Sequence, residues 1–196
     1  MDKLALINNV MVYEGLETEV EIEGVVYEVE MSFDNIMLLL EMMNDMSLSD
    51  GEKVYYGIYA LLGTELEMEL ENQVKVFEGL IEHFVHSGDK QEVPVDLEGN
   101  VMPVAQQKAS YDLRHDESYI YTSFKQAYRM DLEEERGKLD WRKFKILLRD
   151  LPEGTKLKQV IDIRTRPYPK GKHATEERRK LRELKKAFAL PGVDVE

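Results

Sequence analysis

His83 and His86 stand three residues apart, with Glu82 beside them, in a stretch whose apolar spacing predicts a helix. Two imidazoles at that spacing could share one side of a helix. A zinc site needs further ligands at matching geometry, and the chain holds no cysteine to supply a thiolate. His115 and Asp116 are adjacent, so a helix would turn them away from each other. Carboxylates pair up everywhere, because 39 Asp and Glu face 26 Lys and Arg, so a pair carries no information. No phosphate-binding glycine loop and no dinucleotide fingerprint is present. No serine can be given a base. The expectation is a non-enzyme, with no catalytic residue, no metal and no cofactor.

That leaves surfaces, and the densest stretch is Asp131 to Pro167, which carries the only tryptophan. Asp140 is a good N-cap, because its carboxylate can accept the open amides of a first turn. Trp141, Phe144 and Leu148 recur on one helical face, with Arg142, Lys143, Lys145 and Arg149 between them. Leu151-Pro152-Glu153-Gly154 stops that helix, and Thr155 can cap the next one, through Ile163. Arg164-Thr165-Arg166-Pro167 ends it, since proline disfavours helix in the residue before it. An apolar stripe backed by cations is first of all core plus a solvated face.

The other elements follow from periodicity. Residues Thr18–Ile22 and Val25–Met31 alternate apolar and acidic around Glu23-Gly24, which predicts a hairpin. Val20 and Ile22 would face the core with Val25, Tyr27 and Val29, and Met1–Tyr13 could add another strand. Phe33, Ile36, Met37, Leu40 and Met43 make a wide stripe on a methionine-dense helix, where core filling and an adaptable contact surface are both open. Ser49 and Glu52 form a capping box ahead of a helix through Tyr55, Ile58, Tyr59 and Leu62 to Gly63. A further helix spans about 71–86, with Val74, Phe77, Ile81, Phe84 and Val85 inward. Residues 112–128 are helical, with Asp116 a plausible cap and Tyr119, Ile120, Phe124 and Ala127 on one face. Thr175 caps the last helix, whose stripe is Leu181, Leu184 and Phe188.

Charge divides the chain. Residues 1–100 hold 23 acidic and 4 basic side chains, net −19, while residues 101–196 hold 16 and 22, net +6. The acidic half would repel phosphate but attract a basic partner or the basic half of a neighbouring copy, so self-association is expected. The basic final helix could touch nucleic acid, yet aromatic residues do not interleave with its cations and the whole chain is at −13. No apolar run is long enough to span a membrane, and Met1–Asn8 lacks a secretory pattern.

Two blocks carry a resemblance. Trp141-x-x-Phe144-x-x-Leu147-Leu148, then Leu151-Pro152, then Thr155-x-Leu157-x-x-Val160-Ile161 and the arginine-rich exit resemble the phage "Gp-fifteen" family, as does the lead-in Phe124–Leu132. In the other half, Val29–Leu38 followed by Leu48-Ser49-Asp50-Gly51-Glu52-Lys53 is similar to the family's acidic-aromatic and "L-S-D-x-E-K" segments. Two departures are visible: Trp141-Arg142 stands where a Trp-Trp pair is common, and Phe33-Asp34 reverses the usual order.

The resemblance implies a siphophage or prophage protein whose gene lies just ahead of the tape measure gene, the position of tail assembly chaperones. The implied function is a non-enzymatic chaperone binding the tape measure protein in the cytoplasm of the bacterial host. The tail tube protein is a second candidate partner. A structural tail or tail-tip component is the alternative, and a nucleic-acid-binding regulator a more distant one. The expected fold is α+β and mainly helical: an acidic hairpin-plus-helices domain (1–88), a linker (89–110) and a basic helical domain (111–196). Exposed amphipathic faces nominate Met37, Leu40, Met43, Met46, Trp141, Phe144, Arg164 and Arg166 as partner-binding residues.

Overall fold

The computed structural model describes residues 4–7, 10–13, 16, 18–86, 110–171 and 174–193. The chain forms two compact units, 1–87 and 88–196. The class is α+β, mainly helical. Apart from Ser110, the expected linker lies outside the described residues.

In the first unit, β1 (Leu4–Ile7) pairs antiparallel with β2 (Val10–Tyr13). Two strands thus occupy the segment expected to add one. The predicted hairpin follows as β3 (Glu19–Ile22) and β4 (Val25–Glu28), with Val20 opposite Tyr27 and Ile22 opposite Val25. Its two-residue turn needs left-handed backbone at both positions, φ 52° at Glu23 and 82° at Gly24, which is where glycine serves. Ile22 and Val29 are buried, and Val20 and Tyr27 half-buried, as alternation requires. Val25, expected inward, sits at the turn end of the ribbon and is exposed.

Backbone bonds tie the ribbon to helices. The Glu30 N–H donates to the Leu61 carbonyl at 2.8 Å, and the Asn35 side-chain amide donates to the carbonyls of Ala60 (2.8 Å) and Glu30 (3.1 Å). These contacts join the ribbon's exit and the start of α1 (Phe33–Asn44) to the end of α2 (Asp50–Leu62). The capping box forms as expected. Ser49 Oγ accepts from the Glu52 N–H, and the Glu52 carboxylate accepts from the Ser49 N–H and hydroxyl. Gly63 closes α2 in the left-handed region at φ 67°. Phe33, Ile36 and Leu39 of α1 face the core with Val54, Ile58, Leu61 and Leu62 of α2. At Gly57 the Phe77 ring of α3 (Leu70–Leu80) comes so close that a Cβ would lie 2.3 Å from it. The expected helix runs on to the edge of His86, but its winding changes after Leu80. Residues Ile81–Val85 form a π-helical turn, closed by the His86 N–H donating to the Ile81 carbonyl at 2.9 Å. The widened turn is the passage through which Phe84 and Val85, adjacent in sequence, are both buried with Phe77 and Leu80.

The second unit holds α4 (Glu117–Tyr128), α5 (Trp141–Arg149), α6 (Lys156–Thr165) and α7 (Thr175–Ala187). Asp140 caps α5 as predicted, accepting from the Arg142 N–H at 2.8 Å, and also holds the Arg142 guanidinium at 2.7 Å. Thr155 stands at the N-cap of α6 as expected, but its side chain makes no cap bond, because the hydroxyl donates to the Pro152 carbonyl at 2.7 Å. The first amides of α6 are instead met by side chains of α4. The Leu157 N–H donates to Ser123 Oγ at 2.8 Å, and the Lys156 N–H to Gln126 Oε1 at 3.1 Å. One helix therefore caps another, which fixes where α6 begins on α4. Thr175 is the first residue of α7 and not its cap; that place belongs to the buried Ala174.

Candidate functional site

Helix α1 exists because an apolar stripe at helical spacing packs on α2. Its core face, however, is Phe33, Ile36 and Leu39. Met37, Leu40, Met42 and Met43 flank that face and are half-buried. Leu38 points outward at 60% exposure, and Met46, in the turn after the helix, is 93% exposed. That turn is held by Asp45, whose carboxylate accepts from the Ser47 N–H and hydroxyl at 2.8 and 2.7 Å. The Ser47 bonds lower the Asp45 carboxyl below its usual range. The nominated methionines thus border one partly open apolar ridge, which Leu38 extends.

A second open face was not recognised in the sequence. On α2, Val54, Gly57, Ile58, Leu61 and Leu62 are buried, so the helix turns Tyr55, Tyr56 and Tyr59 outward, 39%, 48% and 53% exposed. Reading Tyr55 and Tyr59 in one run with Ile58 and Leu62 missed this. The signal was Val54, Ile58 and Leu61, whose 4-3 spacing defines a different inward stripe. Glu52 lies one turn before Tyr55 and Tyr56. The Tyr55 hydroxyl donates to Glu65 at 2.5 Å, and that carboxylate raises the phenol's pKa. The rings of Tyr55 and Tyr56 meet edge to face at 5.3 Å. Leu70, 56% exposed, borders Gly51 at the start of the same helix.

The nominated residues of the second unit have different surroundings. Trp141 and Phe144 are 4% and 0% exposed. Phe144 stacks between Phe124 (5.2 Å) and Trp141 (5.6 Å), nearly parallel to both. Their role here is packing. The Arg164 side chain is enclosed as well. Its guanidinium donates to both carboxylate oxygens of Asp116, at 2.6 and 2.8 Å, with the two side chains 8% and 0% exposed. It also donates to the carbonyls of Phe188 (2.6 Å) and Ser110 (3.1 Å). Asp116 stands at the N-cap of α4 as expected, but its carboxylate makes no cap bond; it is turned to the Arg164 guanidinium and accepts from the Asp112 N–H at 3.1 Å. Arg166 is exposed and pairs with Asp162 along α6.

Helix α7 buries only Leu181, while Leu184, expected in its stripe, is 44% exposed. The short apolar face leaves its cations outside. Lys185 and Arg182 lie over the Tyr168 ring at 4.8 and 6.0 Å, and Arg179 pairs with Glu176 and Glu183. His83 and His86 are both exposed, on the π-helical turn and at its end. Among the described residues no three His, Cys, Asp or Glu side chains gather to hold a metal. Among them, too, no helix is long and apolar enough to cross a membrane.

The model of one protein family, Bacteriophage Gp15 protein, matches residues 12–190. No curated protein and no solved structure matches the chain.

Proposed function

We propose that this chain, which belongs to the Bacteriophage Gp15 protein family, is a non-enzymatic tail assembly chaperone. In this reading it binds the tape measure protein in the host cytoplasm during tail morphogenesis. Membership makes it a phage protein. The finer reading is supported by the family resemblance, which implies a gene placed just ahead of the tape measure gene; the match over residues 12–190 spans the motifs of that resemblance. The α1 ridge supports it. A long helical client presents varied apolar side chains; Met37, Met43 and the exposed Met46 offer unbranched, polarisable contacts that adapt to such variety, and Leu40 adds apolar area beside them.

Co-expression with the tape measure protein, followed by pull-down and size exclusion with light scattering, tests this. The expected result is a soluble co-complex, with the tape measure protein insoluble when made alone. Leu38→Ser with Met46→Ser, both at exposed positions, should weaken it. Absence of a complex, with the chain recovered instead from purified virions, would replace the chaperone by a structural tail component.

A further inference from the structure

The tyrosine face of α2 is open, aromatic and acidic together. Tyr55 and Tyr56 share one turn and Tyr59 stands on the next; Glu52 lies one turn before them, and Glu65 accepts from the Tyr55 hydroxyl. The exposed Leu70 extends the apolar area towards the start of the helix. Among the described residues of this unit Lys53 and Lys75 are the only lysines, and there is no arginine. Tyrosine is costly neither to expose nor to bury, and it is enriched where proteins meet. Its ring face attracts ammonium and guanidinium groups, more strongly once water is excluded. The second unit shows this chemistry inside one chain: Lys185 and Arg182 cover Tyr168, and Lys156 lies over Tyr119 and Phe188 at 5.5 and 5.2 Å. Among the described residues no cation lies over the three α2 rings.

We propose that the Tyr55-Tyr56-Tyr59 face, with Glu52 and Glu65, docks an amphipathic helix of a partner protein whose exposed side is rich in lysine and arginine. The partner's apolar side chains lie along the rings and Leu70. Its cations reach the ring faces and the carboxylates. Charge selects the occupant: an acidic helix would meet like charge along this face, and so would nucleic acid. The face can take such a helix whether or not the chain serves tail assembly.

The probe is a fluorescent synthetic helix of leucine and lysine, titrated into the full chain, with a leucine and glutamate helix of the same pattern as its counterpart. The lysine helix should bind, more weakly as salt rises, and the glutamate helix should not. Tyr55→Ser/Tyr56→Ser/Tyr59→Ser leaves the charge unchanged and should lower the affinity about tenfold or more, the loss expected for central aromatic anchors. Tyr59→Lys, a single change at the most open ring, should lower it too, while circular dichroism shows the fold intact. Equal affinity of the triple variant would reduce the binding to bulk acidity and overturn the proposal. Equal binding of the glutamate helix would reduce it to apolar adhesion and overturn it just as fully. Light scattering of the wild type and triple variant closes the remaining route. A dimer lost on substitution would assign the face to a second copy of the chain, against the proposal.

Discussion

The two units handle polar and aromatic groups in opposite ways. In the first, capping is local: Ser49 and Glu52 complete each other's bonds three residues apart, and Asp45 holds Ser47 two residues on. In the second, the decisive bonds join distant elements: Ser123 to Leu157, Gln126 to Lys156, Arg164 to Asp116, and the Tyr128 hydroxyl to the Leu147 carbonyl. The aromatic side chains follow suit. Phe124, Trp141 and Phe144 stack inside the second unit, whereas Tyr55, Tyr56 and Tyr59 face outward from the first. Leu38, Met46 and Leu70 are exposed on the first unit too. A unit whose helix caps are closed within a few residues can leave helix faces open, even though Asn35 and Glu30 of the same unit bond across to α2, and those faces are where contacts with other molecules are to be sought. A unit that draws on distant side chains to hold its helices has fewer such groups to offer.

The sharpest way to break this contrast is Asp116→Ala. It leaves the Arg164 guanidinium buried without its carboxylate and should cost about 3–5 kcal/mol in denaturant unfolding. Asp116→Leu combined with Arg164→Met should recover much of that, because the charge is removed with its partner. Gly57→Ala comes next, at about 3 kcal/mol, the upper end for overpacking, since its Cβ would meet the Phe77 ring at 2.3 Å. Its thermal shift should be partly reversed by Phe77→Leu. Ser123→Ala strips the buried Leu157 N–H of its acceptor and should cost about 2 kcal/mol. Ser49→Ala removes a cap exposed to water and should cost only about 1 kcal/mol. Were the two serine variants equally damaging, the distinction between local and long-range capping would lose its energetic basis.

A pH scan sharpens the last case. Bonds from Ser49 hold the Glu52 carboxyl below its ordinary value. A depressed folded-state value contributes stability that is present above the unfolded pKa and lost as pH falls through the folded one. The melting temperatures of Ser49→Ala and the wild type should therefore converge in acid.

What the sequence revealed and what it hid divide along the same line. The Ser49-Glu52 box, the Asp140 cap, the Trp141-Phe144-Leu148 stripe and the Glu23-Gly24 hairpin were legible because each depends on residues within one or two turns. Asp116 and Thr155 hold the expected N-cap positions but make no side-chain cap bond, and Thr175 lies one residue inside its helix. Each has the right residue type before a helical run, but type alone does not show that Arg164, Pro152 or Ala174 decides the outcome. The trans-helix caps at Ser123 and Gln126 leave no local mark. The outward tyrosines were obscured because Tyr55 and Tyr59 share helical spacing with one another just as Val54, Ile58 and Leu61 do, and the neighbouring α1 and α3 select which stripe is covered. Of the residues nominated for binding, the α1 set lies on or beside an open ridge, while Trp141, Phe144 and Arg164 are enclosed.

Arg164 also sets an order of events in time. Its acceptors lie 54 residues earlier at Ser110, 48 earlier at Asp116 and 24 later at Phe188. Each contact closes a loop of that length, and long closures slow folding more than they weaken the folded state. On the ribosome, α4, α5 and α6 can all emerge while this guanidinium still lacks its last acceptor. Until the Phe188 carbonyl can reach it the clamp stays incomplete, so the second unit can close fully only after the end of α7 has been made.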